Sequence, residues 1–344
     1  MIRWNNDYNQ IAHEAVLQAV CATQGSAYAG YGMDELCKKA AEEIKKYLGG
    51  AEADVHFLLG GTQTNYTMIA AALRPYEAVV SADTGHIQVH ETGAVENTGH
   101  KIHVLPSADG KITAEAIRAE GEALRQSPFK EHITHPKMVY ISFPTESGTL
   151  YSKAELTAIR QACDEYGLYL YLDGARLSYG LAARENDVTM EDLARLCDAF
   201  YIGGTKCGAM FGEALVLLHK DFKCNFRNYI KQNGAMLAKG WLLGAQFDAL
   251  FRDGLYFEIG KSAIDYALQI RDAFLQKGFE PYPQSPTNQQ FFLLPAAVAE
   301  TLGKKHIYEF EGTVPDGRLI CRFCTGWHTK KEDVEALVQD VCAL

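Results

Sequence analysis

Three short segments of this 344-residue chain set reactive side chains where a backbone turn could present them to a ligand. The first is Leu168-Tyr-Leu-Tyr-Leu-Asp173-Gly-Ala-Arg176, an apolar run that ends in an acid, two small residues and a base. In open α/β sheets ligands collect at the carboxyl ends of strands, which is where Asp173 would lie. The second, Ala199-Phe-Tyr-Ile-Gly-Gly-Thr205-Lys206-Cys-Gly, puts a lysine after an apolar run and among small residues. Crowded apolar surroundings disfavour an ammonium and lower a lysine towards a nucleophilic amine. The third, Leu58-Leu-Gly60-Gly61-Thr62-Gln63-Thr64-Asn65, leads from a strand through a Gly/Thr turn into a helix. The free N–H groups and dipole of that helix would face an anion. This turn matches neither a P-loop nor GxGxxG. Singly, each segment has a plainer reading: an N-capping aspartate, a loop lysine, a capped turn.

Positioning such groups requires a framework, and the chain alternates short apolar runs with longer amphipathic ones. The pattern predicts strands at Val55–Leu59, Ala78–Ser81, Ile102–Leu105, Met138–Phe143, Leu168–Leu172, Ala199–Ile202 and Ala214–Leu218. Helices are expected between them at Met33–Leu48, Thr64–Leu73, Ala114–Gln126, Lys153–Tyr166 and Met190–Leu196. Strands apolar on both faces and separated by helices imply an α/β fold with a mostly parallel sheet covered by helices. After about Gly240 the texture changes to one long helical stretch, Trp241–Lys277, then Phe291–Leu294, Leu319–Phe323 and a final helix, Lys330–Cys342. We expect a large domain over residues 1–240 and a smaller α+β one over 241–344, with the site in the cleft between them.

Composition narrows the function classes. A net charge of -10 without a basic cluster argues against a nucleic-acid partner. No stretch approaches a membrane span, and the N-terminus lacks the apolar core of a signal peptide, so a cytoplasmic protein is expected. Nine cysteines in no disulfide-like spacing read as reduced thiols, including the pair Cys321 and Cys324. His86 and His90 lack a convincing third metal ligand, so no metal is expected.

A lysine able to form a Schiff base, a carboxylate for a pyridine nitrogen and an anion cradle are together what pyridoxal phosphate (PLP) requires. The order Gly61-Thr62-Gln-x-Asn65, His86, Asp173-Gly-Ala-Arg176 and Lys206 resembles the low-specificity L-threonine aldolases. These belong to the aromatic amino acid β-eliminating lyase group of fold-type I PLP enzymes, and the likeness runs from Asn6-Asp7 through Tyr31-Gly32 to Arg322. The resemblance implies that Lys206 carries the cofactor and that Asp173 pairs with its ring nitrogen. Gly61 and Thr62, with Thr205 as helper, would hold the phosphate. His86 would stack on the ring and move protons. Arg176 would meet the cofactor's phenolic oxygen or the substrate carboxylate. Arg322, a charge interrupting a strand-like apolar run, needs an anion, and a substrate carboxylate is a natural one; Asn6 would assist there.

Two positions depart from the family pattern. Glu146 stands where a histidine handles the substrate's β-hydroxyl, and Leu237 where an arginine contacts phosphate, leaving Lys231 or Lys239 to supply charge. The expected reaction is cleavage of a β-hydroxy-α-amino acid to glycine and an aldehyde, in a homodimer or homotetramer with shared sites. β-Elimination from another substituted amino acid and PLP binding without turnover are the alternatives.

Overall fold

A computed structural model describes all 344 residues. Thirteen strands form three sheets. The N-terminal strand β1 (Ile2–Arg3) pairs in parallel with β11 (His306–Ile307). The main sheet holds β2 (Asp54–Leu58), β3 (Glu77–Ala82), β4 (Lys101–Leu105), β5 (His135–Ser142), β6 (Tyr169–Asp173), β7 (Ala199–Gly203) and β8 (Glu213–Leu217). Their order is β2-β8-β7-β6-β5-β3-β4. Neighbours from β4 to β7 run parallel, and β8 is antiparallel to both β7 and β2. The third sheet is antiparallel: β9 (Glu280–Pro281), β10 (Gln289–Leu294), β12 (Glu309–Thr313) and β13 (Leu319–Cys324), in the order β12-β13-β10-β9.

The double-faced hydrophobicity of the central strands follows from their period of two. On β6, Leu170 and Leu172 enter one core while Tyr171 enters the other; β7 divides Phe200 and Ile202 from Ala199 and Tyr201 in the same way. Local signals fix the covering helices. The helix Lys153–Tyr166 begins in a reciprocal Ser152/Glu155 capping box and ends at Gly167 with φ 63°, a left-handed position that suits glycine. Thr113 caps Ala114–Gln126, and Thr189 with Asp192 boxes Met190–Leu196.

The long helical stretch expected after Gly240 is two helices, Trp241–Phe251 and Leu255–Gln276, parted at Gly254 with φ 72°. Apolar residues of these helices up to Leu268 belong to the core of the main sheet. From Ile270 onward they join Trp4, Phe292 and Phe323 in the core of the small sheet. No helix is long and apolar enough to cross a membrane.

Candidate active site

Five chain segments leave the same edge of the main sheet, each at the carboxyl end of a strand. Gly60 to Thr62 follow β2, His86 follows β3, Glu146 follows β5, Asp173 ends β6 and Lys206 lies three residues beyond β7. They line an inner cavity of about 370 Å³. It opens into an outer one of about 660 Å³ that shares Tyr8, His86, Glu146, Arg176 and Lys206 and reaches Arg322.

The carboxylate of Asp173 is fixed by three donors. The Ala175 N–H reaches Oδ1 at 2.9 Å; Asn65 Nδ2 and Tyr140 Oη donate to Oδ2 at 3.0 and 2.6 Å. Lys206 is half-buried, and its Nζ stands 5.9 Å from the centre of the Tyr8 ring. Burial and then the charge of Arg176 lower the amine from its ordinary value, the direction a nucleophile needs. Gly61 opens the twelve-residue helix Gly61–Ala72, whose N-cap Gly60 has no side chain with which to cap the first turn. A Cβ at Gly61 would stand 3.0 Å from Tyr201 Oη, so the glycine keeps this anion-facing turn open.

His86 donates its backbone N–H to Glu146 Oε1 at 2.9 Å, and Ser142 Oγ donates to the same oxygen at 2.6 Å. Burial, helped by the nearby Asp173 charge and opposed by the Ser142 bond, raises the Glu146 carboxyl above the usual carboxylate range. The His86 ring bonds through Nδ1 to Glu91 Oε1 at 2.8 Å. Burial disfavours the protonated imidazole, but the Glu91 bond and the Asp173 charge outweigh it and raise the ring above its ordinary value.

Most other residues expected at the site already have partners within the protein. Arg176 lines both cavities, yet Nε and Nη2 already hold Asp7 at 2.7 and 3.1 Å, so the anion opposite most of the guanidinium belongs to the protein. Arg322 lines the outer cavity with its Nη1 2.8 Å from Glu311 Oε1, an acid within the β12 irregularity between Phe310 and Gly312. Its Nε is buried and has no partner within the chain. Asn6 lines neither cavity: its Oδ1 accepts the Tyr8 N–H at 3.1 Å, and Tyr8 is the residue that lines both. Thr205 lines the inner cavity, but its hydroxyl donates to Glu213. Neither Lys231 nor Lys239 lines either cavity, and Lys231 Nζ sits over the Tyr31 ring at 4.9 Å.

Four participants escaped the sequence reading. Glu213 and Glu91 are buried acids in contact with Thr205 and His86, Tyr8 faces Lys206, and Asp7 grips Arg176. The signal for Glu213 was an acid set directly before an apolar strand, which reads as a strand boundary.

A lysine, a donor-fixed carboxylate and a helix N-terminus at one sheet edge fit a phosphorylated pyridine aldehyde, and the fold is that of fold-type I PLP enzymes. An aspartate aminotransferase from Thermus thermophilus shares that fold at a TM-score of 0.73 and 15% identity, covering 100% of this chain and 91% of that one. The chain belongs to the beta-eliminating lyase family, which it matches over residues 9–272. It is similar to a threonine aldolase structure from Leishmania major, with 43% identity, a TM-score of 0.96, and 99% of this chain and 98% of that chain covered. It is also 29% identical over 346 residues to a low specificity L-threonine aldolase from Pseudomonas sp. (strain NCIMB 10558), covering 99% of this chain and 96% of that protein.

Proposed function

We propose that this protein is a PLP-dependent lyase that cleaves the Cα–Cβ bond of a threonine-like β-hydroxy-α-amino acid, giving glycine and an aldehyde. The observation that carries the reading is the placement of Glu146 in one cavity with Lys206 and Asp173. When bound, the cofactor supplies the electron sink that makes a bond at Cα breakable.

The chain's own residues do the rest. Lys206 offers an amine with lowered proton affinity for the cofactor's attachment. Asp173, held by Ala175, Asn65 and Tyr140, would pair with the ring nitrogen, and the Gly61–Thr62 turn would receive the phosphate. His86, which lines the same cavity, would lie beside the bound cofactor and exchange protons there. Arg322 Nε and the free edge of Arg176 orient the substrate carboxylate, which fixes the bond that is aligned to break. Glu146 takes the β-hydroxyl proton through Oε2, because Oε1 is already occupied by the His86 N–H and the Ser142 hydroxyl.

Threonine and phenylserine, with the aldehyde product detected, test the assignment on the PLP-loaded protein. Glycine and aldehyde in equal amounts support it; pyruvate from serine without aldehyde from threonine would replace it with β-elimination. Borohydride reduction followed by peptide mapping should place the cofactor on Lys206.

The working form we infer is a cytoplasmic homodimer or homotetramer with shared sites. The family resemblance supports this, and Lys231 and Lys239 line neither cavity of their own chain. Sedimentation at equilibrium gives the subunit number. We place the boundary between the cofactor-binding and small domains within Leu255–Gln276, near Leu268, rather than at residue 240; the passage from one apolar core to the next at that point supports it.

A further inference from the structure

The turn that would hold a phosphate also holds a carboxyl group. Glu213 opens β8, opposite Leu58 of β2 and Gly203 of β7, between the strand that leads to the glycine turn and the one that leads to Lys206. It is only 4% exposed, yet it lines the inner cavity with Gly61, Thr62 and Thr205. Its Oε2 accepts the Gly204 N–H and its Oε1 accepts the Thr205 hydroxyl, both at 2.8 Å. Thr205 Oγ1 accepts the Gly212 N–H at 3.1 Å. A hydroxyl has one hydrogen, and that of Thr205 is directed at Glu213 rather than into the cavity. Thr205 can donate to an incoming anion only if Glu213 stops accepting from it.

We propose that Glu213 is a positioning residue that takes up one proton when a phosphate monoester enters the cradle, releasing the Thr205 hydroxyl to donate to the phosphate. The inference rests on the PLP reading of the cavity. A solvent proton adds to Oε1, and the new O–H donates to Thr205 Oγ1. The Thr205 hydrogen rotates to a phosphate oxygen, while the Gly204 N–H stays on Oε2. No heavy-atom bond forms or breaks, and nothing is oxidised. The buried carboxylate therefore does not confront the phosphate as a like charge.

The surroundings favour this exchange. Burial pushes the Glu213 carboxyl up to about 8, against the bonds from Thr205 and Gly204 and the charge of Lys206. Its other titratable neighbours are Asp173 and Tyr171 of β6, Tyr201 of β7, Cys207 after the turn, and Tyr256 from the helix Leu255–Gln276. Asp173 disfavours ionisation of Glu213, and an arriving phosphate dianion adds to that effect.

Calorimetry of the cofactor-free protein in two buffers of different ionisation enthalpy counts protons taken up on binding. Pyridoxine 5′-phosphate is the probe, since it has no aldehyde to react with Lys206. At about pH 8.5, a group titrating at about 8 is mostly ionised and the phosphate is already a dianion. Wild type should take up most of one proton more than Glu213→Gln. Equal uptake overturns the proposal and leaves the cofactor reading standing; no binding of the probe overturns both. A second measurement needs no variant. At the same pH of about 8.5, infrared difference spectra of wild type should gain a carboxylic-acid C=O band on binding, and its absence also overturns the proposal.

Discussion

Asp7 and Arg176, separated by 169 residues of sequence, form a two-point ion pair beside the cavity. Asn288 Nδ2 also donates to Asp7 Oδ2, at 2.9 Å. Burial alone would raise the Asp7 carboxyl, but the Arg176 charge, then that of Lys206, with bonds from Arg176 and Asn288, hold it down at about 2. The pair fixes the plane of the guanidinium before any ligand arrives.

Replacing Asp7 by Ala leaves Arg176 buried and uncompensated, and should cost about 3–5 kcal/mol in urea unfolding. The pair also sets a pH dependence. Because the folded value lies below the ordinary 3.8, its contribution is complete above that value and is lost as pH falls through about 2. The difference corresponds to about 2 kcal/mol. Asp7→Asn should therefore lose less stability than wild type between about pH 5 and pH 2. Parallel losses would show that the pair does not govern this window.

Glu146 acts as a base only when ionised, and its carboxyl titrates above 4.5. Aldehyde release should fall on the acid side with a midpoint above that value. Glu146→Gln should slow the reaction by about 10²–10⁴-fold and remove this limb. A variant with unaltered rate would take Glu146 out of the reaction.

Glu91 Oε1 receives both His86 Nδ1 and Asn65 Nδ2, each at 2.8 Å. In Glu91→Ala the burial of His86 is no longer offset by that bond, so its imidazole should titrate lower than in wild type. Proton NMR of the ring Cε1–H reads this directly, and an unmoved midpoint would separate the two residues.

At Gly203 the backbone crowds the lysine turn: a Cβ there would stand 2.3 Å from the Ala175 carbonyl oxygen. The opposing atoms are backbone and cannot yield cheaply, so Gly203→Ala should lose about 1–3 kcal/mol of stability and weaken PLP retention. Thermal unfolding with and without cofactor measures both effects, and wild-type behaviour in both would mean that the turn relaxes.

The central strands of the main sheet were legible because burial on two faces leaves unbroken apolar runs such as Leu168–Leu172. The helix at Ala114–Gln126 was legible as an amphipathic run between two apolar ones. Strand β12 did not: its Glu-Phe-Glu-Gly-Thr sequence is half-exposed and carries no apolar face. Lys206, Asp173 and Gly61 could be found because chemistry limits the types that can serve there. Glu213 and Asp7 could not, since their meaning lies in partners that the fold brings near. Glu213 meets Thr205 across a turn, and Asp7 meets Arg176 only after five strands of the main sheet, β2 to β6, have come between them in the chain. The second anion of Arg322, Glu311, is likewise supplied by strand pairing rather than by any local pattern.

The N-terminal strand β1 has a mechanical consequence. Residues 2 and 3 are bonded to β11, and Trp4 is packed in the core of the small sheet, while Asp7 is pinned to Arg176 at the main one. Three peptide units between Trp4 and Asp7 span at most about 10 Å when fully drawn out. The segment is thus a short tether, and the small sheet can swing away from the cavity only as far as that slack permits before one anchor tears. Any opening that admits an amino acid must be a modest hinge, and it pulls directly on the residue that aims Arg176.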